Sequence, residues 1–338
     1  MPKTRIAING FGRIGRNAFK IAFERDDLDI IAINDLTDNE TLAHLLKHDT
    51  NYGAYEHEVV ATNDGLTVGG REISITSEPD PSKLPWGDLD VDIVIESTGR
   101  FRTPEAARQH VEAGASRVIV SAPVKGEGAA TVVLGVNDED LEHGTEVLSN
   151  ASCTTNCISP PAAIISSNFG IEKAMMTTIH SYTADQNLQD GPHSDLRRAR
   201  AAAENIVPTT TGAAIAAAQA LPQLQGVFDG MAIRVPTSVV SLSDFTFLLS
   251  RDVTVEEVND AFREAAEMPM YQGILAVTEE PLVSSDFIGS SYSSIVDLGM
   301  TKVVDGDMLK IVAWYDNEWG YSNRLVEMVA DVGRLMSE

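Results

Sequence analysis

Residues 151–157 read Ala-Ser-Cys-Thr-Thr-Asn-Cys and hold both cysteines of the chain. The run Ile158-Ser159-Pro160-Pro161-Ala162-Ala163-Ile164-Ile165 follows and reads as the body of a helix, which sets Cys153 at its first turn. Unpaired backbone N–H groups and the helix dipole there favour a thiolate over a thiol. Ser152, Thr154, Thr155 and Asn156 are poor core residues but good partners for an anion, so the segment points to covalent catalysis by Cys153. Cys157, one turn further on, reads as buried packing.

A nucleophile of this kind needs a base. His180 ends the strand-like run 175–179 and opens Ser181-Tyr182-Thr183, the end-of-strand placement common for catalytic groups. His44, His48, His57, His110 and His143 sit in polar or helical contexts and read as surface residues, while His193 lies in a loop and stays open. A thiolate–imidazolium pair of Cys153 and His180 would hold the thiol reactive at neutral pH.

A second motif lies near the start. Gly10-Phe11-Gly12-Arg13-Ile14-Gly15 matches Gly-x-Gly-x-x-Gly, follows a strand-like segment and opens a helix-like one. The next strand-like run ends in Asn34-Asp35, twenty residues past Gly15. Glycines allow a tight turn and close approach of a pyrophosphate to a helix N-terminus, and the acid suits the adenosine ribose hydroxyls. Asp35 would repel a 2′-phosphate and Leu36 adds no positive charge, which favours NAD over NADP.

The elements that must carry these residues fall into two textures. Up to about residue 150, strand-like runs (5–9, 30–34, 91–96, 117–121, 131–136) alternate with helical patterns (12–24, 39–47, 103–113), and 64–75 reads as an inserted hairpin. That alternation predicts an α/β fold, a doubly wound Rossmann domain over residues 1–150. Beyond Cys153, long strand-like runs (174–182, 230–234, 238–250, 308–314) with helices at 212–221 and 254–268 predict an α+β catalytic domain over 151–318 with a mainly antiparallel sheet. The amphipathic stretch 319–338 is expected to complete the first domain.

With these motifs in order, the chain resembles the phosphorylating glyceraldehyde-3-phosphate dehydrogenases of the bacterial and eukaryotic type over essentially its full length. Besides residues 9–16, 151–157 and 180–183, the resemblance rests on Ser97-Thr98-Gly99, Leu196 to Arg200, Pro208 to Ala214, Arg234-Val235-Pro236-Thr237 and Trp314 to Tyr321. It implies that Cys153 attacks an aldehyde, that His180 takes the hydroxyl proton as hydride leaves for NAD, and that inorganic phosphate releases the acyl group. By the same resemblance Thr183, Arg234 and Arg197 bind the phosphate of glyceraldehyde 3-phosphate, and Ser152, Thr154, Thr211 and Gly212 the attacking phosphate. Arg198 and Arg200 are expected to form ion pairs in an interface loop. Asn317 and Tyr321 would lie by the nicotinamide, and Ser97, Thr98, Gly99 and Ser121 would line the cofactor site. The loop 182–205 resembles one that crosses subunit interfaces, which implies a homotetramer; Ala184 stands where many bacterial members carry asparagine. Erythrose-4-phosphate dehydrogenase, which shares fold and nucleophile but ends in hydrolysis, is the alternative, and the intact phosphate residues argue against it. No residue cluster suggests a metal.

Composition bounds the rest. Apolar residues make up 43% of 338, no run reaches the length of a membrane span, and the N-terminus enters strand-like alternation without the apolar stretch of a secretion signal. Two cysteines make no disulfide scaffold, so a reducing cytoplasm is expected. Fifty acidic residues against 25 basic give a formal charge of −25, which argues against nucleic-acid binding. The excess is spread along the chain, as in Asp26-Asp27-Leu28-Asp29 and Asp138-Glu139-Asp140, and suggests adaptation to molar salt, where screening removes self-repulsion. Activity and thermal stability should therefore rise as KCl is raised toward molar concentrations; full stability in dilute buffer would count against that adaptation.

Overall fold

The computed structural model describes residues 3–337; the side chains of 142 and 143, and with them the reading of His143, lie outside the described residues. The chain forms two compact units. One comprises Met1–Val132, Glu139–Ala151 and Ser322–Glu338, the other Val133–Asp138 and Ser152–Tyr321.

The first unit is built on a nine-stranded sheet. Its order is Ala130–Thr131, Val147–Ser149, Arg117–Val120, Ile93–Glu96, Thr4–Asn9, Leu28–Asn34, Arg71–Thr76, Gly65–Val68 and Val59–Ala61. The pairings are parallel as far as Arg71–Thr76, and the last two strands add antiparallel pairs. From the Thr4–Asn9 strand the chain first builds Leu28–Asn34 on one side and later Ile93–Glu96 on the other. The strand order therefore reverses at Asn9, and the crevice beyond such a reversal is where doubly wound sheets bind ligands.

Helices follow from spacing and caps. In Arg13–Phe23 the buried Gly15, Ala18, Phe19, Ala22 and Phe23 recur at helical intervals. Asp38 caps Asn39–Lys47 by accepting from the Thr41 N–H at 2.8 Å, and Thr103 caps Pro104–Glu112, whose first residue has no N–H to satisfy. The anticipated strand over 131–136 is a correction: only Ala130–Thr131 pairs. The apolar run turns instead, because the Val133 N–H is taken by Asn137 Oδ1 at 2.8 Å and Gly135 adopts φ 81°.

The second unit holds an eight-stranded mixed sheet, ordered Val207–Thr210, Phe228–Val235, Ile171–Ser181, Ser241–Leu249, Met308–Tyr315, Ser294–Asp297 and Leu275–Thr278, with Lys302–Val304 also on Met308–Tyr315. Most pairs are antiparallel, but those between Ile171–Ser181 and Phe228–Val235 and between Leu275–Thr278 and Ser294–Asp297 are parallel. The Cys153–Phe169 helix packs on this sheet through Cys157, Ile158, Ala162 and Ile165, in one core with Phe245, Phe247 and Phe262. Glu257 and Thr254 close a reciprocal capping box on Val255–Ala266.

The helix Trp319–Ser337 carries the chain from the second unit into the first. Gly333 on it faces Thr4, where an added Cβ would lie 2.1 Å from Thr4 Oγ1. Gly333→Ala should cost about 1–3 kcal/mol in urea unfolding. Gly212→Ala, which meets open space at φ −91°, should stay within about 0.5 kcal/mol.

Candidate active site

Cys153 opens its helix as expected. Ser152 is the N-cap, accepting the Thr155 N–H on Oγ at 3.0 Å, and the amides of Cys153 and Thr154 in the same first turn bear on the Cys153 sulfur. Ala151, fully buried, holds φ 52°, a left-handed conformation that swings the chain into the helix. Cys157 is buried, with Sγ 3.8 Å from Ser294 Oγ, and burial pushes its thiol up to about 12.

Cys153 Sγ lies 3.5 Å from His180 Nε2. The partner is supplied by strand register: in the parallel pair His180 stands directly opposite Arg234. Arg234 Nη1 approaches His180 Nδ1 at 3.0 Å and the Ser181 carbonyl at 3.1 Å, and the guanidinium has no carboxylate ion-pair partner among the described residues. Burial, then the Arg234 cation, hold the His180 imidazole down at about 3. Burial pushes the Cys153 thiol up from its ordinary value, with Arg234 opposing. Neither group charges alone in this desolvated setting; a proton crossing from Sγ to Nε2 charges both together.

The expected anion residues lie in separate settings. Thr183 joins Arg234, whose Nη1 donates to its Oγ1 at 3.4 Å. Thr211 and Gly212 precede the Ala213–Ala220 helix, where Thr211 Oγ1 accepts the Ala213 N–H at 3.2 Å. Thr154 Oγ1 is buried against Tyr315 Oη at 2.9 Å, and Tyr315 also meets Thr178 at 2.8 Å, so this hydroxyl braces the helix start from inside. Arg197 is exposed and reaches only the Pro208 carbonyl, at 3.4 Å. Its neighbour Arg198 is the better placed. It pairs with Asp185, donates through Nε to Thr209 Oγ1 at 3.0 Å and through Nη2 to the Thr210 carbonyl at 3.1 Å, and its charge bears on both His180 and Arg234. Two adjacent arginines in a loop gave the sequence no means to tell them apart.

Asn317 Oδ1 accepts from Ser181 Oγ at 2.9 Å and Ser241 Oγ at 3.0 Å, which fixes the amide with Nδ2 as its remaining donor end. Ser241 follows Val240, held at φ 70°. Tyr321 is buried in the same unit.

In the first unit a cleft is lined by Asn9, Gly10, Gly12, Asn34, Asp35 and Ser97, with Thr98, Arg100 and Phe101 beside them. Gly12 meets open space, so a ligand can lie against its backbone, whereas a Cβ on Gly15 would fall 2.1 Å from the Gly10 carbonyl oxygen. Asp35 Oδ2 accepts the Phe11 N–H at 2.7 Å. The glycine loop thus fits a dinucleotide through its main chain. The side chains of Phe11 and Arg13 turn away, Phe11 into the core against Phe19 and Arg13 to Asp49, and Ser121 and Gly99 are not among the lining residues.

Asn9, unremarked in sequence, is central here. Its Nδ2 donates to Glu96, which also accepts from the Thr98 N–H at 2.8 Å and from His110 Nε2 at 3.0 Å. Trp86 Nε1–H donates to His110 Nδ1 at 3.0 Å. His110 is fully buried, a correction to its reading as a surface residue: it lies on the inner face of its helix, where Trp86 and Glu96 satisfy both ring nitrogens.

Residues 4–104 match the family model described as the glyceraldehyde 3-phosphate dehydrogenase NAD binding domain, and residues 152–317 match that family's C-terminal domain. The chain is 54% identical over 327 residues to glyceraldehyde-3-phosphate dehydrogenase of Geobacillus stearothermophilus, covering 96% of this chain and 97% of the relative. It is 54% identical to glyceraldehyde-3-phosphate dehydrogenase 2 of Streptomyces avermitilis, covering 97% and 98%, and 53% identical to glyceraldehyde-3-phosphate dehydrogenase 1 of Bacillus cereus, again covering 97% and 98%. With a nucleotide cleft in one unit and a thiol–imidazole pair in the other, the chain belongs to the glyceraldehyde-3-phosphate dehydrogenase family and is an NAD-dependent oxidoreductase.

Proposed function

We propose that the chain converts D-glyceraldehyde 3-phosphate and inorganic phosphate to 1,3-bisphosphoglycerate, reversibly and with NAD. The observation that carries this reading is the 3.5 Å approach of Cys153 Sγ and His180 Nε2 beside the Arg234 guanidinium. Sulfur adds to the aldehyde carbon as its proton passes to Nε2, and the carbonyl oxygen becomes the hydroxyl of a thiohemiacetal. The Cys153 N–H, in the first turn of its helix, stabilises the developing oxyanion. His180 then removes the hydroxyl proton as C1 loses hydride, giving a thioester on Cys153. NAD, when bound, would supply the hydride acceptor, and Asn317, its Oδ1 already taken, would offer Nδ2 as a donor to the carboxamide. A phosphate oxygen attacks the thioester, the C–S bond breaks and the thiol is restored.

Arg234 and Thr183 hold the substrate's phosphate, and Ser152, Thr211 and Gly212 with Arg198 the attacking one. A guanidinium with hydroxyl donors and a helix N-terminus both suit a dianion. The preference for NAD over NADP rests on the Asp35 carboxylate. Leu188, Leu196 and Ile206 are 77%, 81% and 70% exposed in and beside the loop 182–205, an apolar surface that supports burial against other copies in a homotetramer. No described helix is long and apolar enough to cross a membrane, and a cytoplasmic site of action is the reading of the cysteine usage.

Purified protein given glyceraldehyde 3-phosphate and NAD should release about one NADH per site without phosphate and turn over continuously with it; continuous turnover without phosphate would refute the phosphorylating reading. His180→Asn should slow the burst on the order of 10²–10⁴-fold. Asp35→Ala should cut the kcat/KM preference for NAD over NADP about tenfold, the worth of one charged hydrogen bond; an unchanged ratio would remove Asp35 from cofactor choice.

A further inference from the structure

The nucleotide cleft stands on a carboxylate that does not line it. Glu96, at the end of the strand Ile93–Glu96, is 1% exposed, and among the described residues no lysine or arginine lies within ion-pair distance of it. Four donors converge on it instead. Asn9 Nδ2 and His110 Nε2 reach Oε2 at 2.5 and 3.0 Å, and the Thr98 N–H reaches Oε1 at 2.8 Å beside the Thr98 hydroxyl.

The direction of these bonds is fixed by groups that can act in one way alone. The Trp86 indole N–H can only donate, so His110 Nδ1, 3.0 Å away, carries a lone pair and the ring's single proton is on Nε2, toward Glu96. The Glu78 main-chain N–H can only donate, and it meets Asn34 Oδ1 at 2.9 Å. That turns Asn34 Nδ2 to Asn9 Oδ1, at 2.7 Å, and so turns Asn9 Nδ2 to Glu96. On the other side Thr98 Oγ1 accepts the Arg100 N–H at 3.1 Å and gives its own proton to Oε1. A carboxylate accepts from all four donors; a neutral carboxyl or a carboxamide would set a hydrogen of its own against one of them. Glu96 is therefore charged beside a neutral His110, its charge met by hydrogen bonds rather than by a counter-ion.

We propose that Glu96 is a charged positioning residue for the adenosine diphosphate half of NAD. Asn9, Asn34 and Glu78 on one arm, and Thr98 and Arg100 on the other, line the cleft, and the two arms share Glu96 as their common acceptor. The charge sets the polarity of both arms at once, and so holds the two sides of the cleft in the arrangement that receives the ligand. His110 and Trp86 act one step further back, by keeping the imidazole proton on the Glu96 side.

The test uses the whole protein. In wild type labelled with ¹⁵N-histidine, the ring resonances displaced by Trp86→Phe should show Nδ1 unprotonated and Nε2 protonated. A doubly protonated ring, or a protonated Nδ1, overturns the proposal even if no Glu96 variant folds. Glu96→Gln keeps the size and removes the charge. By calorimetry its Kd for ADP-ribose should rise on the order of 10–100-fold, the worth of a charged hydrogen bond. KM for NAD should rise by a similar factor while kcat at saturating NAD stays within about twofold. Iodoacetamide should alkylate Cys153 in this variant at the wild-type rate. An unchanged Kd for ADP-ribose, or a loss confined to kcat, overturns the proposal. A charge swap separates polarity from mere stability. Asn9→Asp should bind ADP-ribose worst, because two carboxylates then face each other. Adding Glu96→Gln to it should restore part of the affinity, since the new amide donates to the new carboxylate and His110 Nε2 stands 3.4 Å from that position. A double variant no better than Asn9→Asp refutes the role of the charge. Wild type that fails to bind ADP-ribose would remove the cleft as the adenosine site as well.

Discussion

Desolvation around Cys153 and His180 is the constraint on which the second unit is organised. In water a thiol and an imidazole each titrate on their own; here burial opposes a charge on either, so reactivity depends on moving one proton over the short path between them. That path demands accurate placement from two elements distant in sequence. The helix start brings sulfur to the amides of its own first turn, and the sheet brings the imidazole to a strand end with its second nitrogen held by main chain and guanidinium. A fixed cation beside Nδ1 favours the thiolate and opposes the imidazolium. The position of Arg234 therefore acts on both members of the pair with opposite sign.

Much of this was legible in the chain. Strand-like and helical texture located the elements because such signals are local, and the glycine pattern lies between a strand and a helix; the caps Asp38, Thr103 and Thr254 each precede the helix they close. Cys153 and His180 could be nominated singly from their placement. Their meeting could not, since it depends on which strand lies next to which; the parallel pairing that sets His180 opposite Arg234 joins segments 54 residues apart. The sequence could not say which of Arg197 and Arg198 turns toward Thr209 and Thr210 for a related reason, as only the fold shows it. The run 131–136 failed because β-branched residues fit a buried turn as well as a strand once Asn137 supplies the hydrogen bond.

The nucleotide-binding unit hides its most polar assembly from sequence altogether. Glu96 ends an apolar strand and His110 sits in a polar-looking helix, yet both are almost inaccessible. A buried carboxylate is tolerated only when its oxygens are saturated with donors, and Asn9, Thr98 and His110 do this from three separate segments. Asn9 passes the order outward: its Oδ1 accepts from Asn34 at 2.7 Å, and Asn34 in turn holds Glu78. Asn9, Asn34, Thr98 and Glu78 all line the cleft. The Trp86–His110–Glu96 chain thus fixes the cleft wall from beneath, and a fixed wall lowers the ordering cost of binding.

Two residues with left-handed backbone stand immediately before hydroxyls of the second unit's site: Ala151 before Ser152 and Val240 before Ser241. For a residue with a Cβ such a conformation costs on the order of 1–3 kcal/mol, and a β-branched valine is among the least suited to it. Glycine would remove the strain, and both side chains are buried, so what the alanine and valine add is anchorage. Their methyl groups, packed in the interior, hold each turn at one angle, whereas a glycine would let it relax. Ser152 must stay in register to cap the Cys153 helix, and Ser241 must stay in register to hold Asn317 Oδ1 and the Ser181 N–H together. Strain held by burial at these two points is the physical means by which the core dictates the direction of the site's hydroxyls.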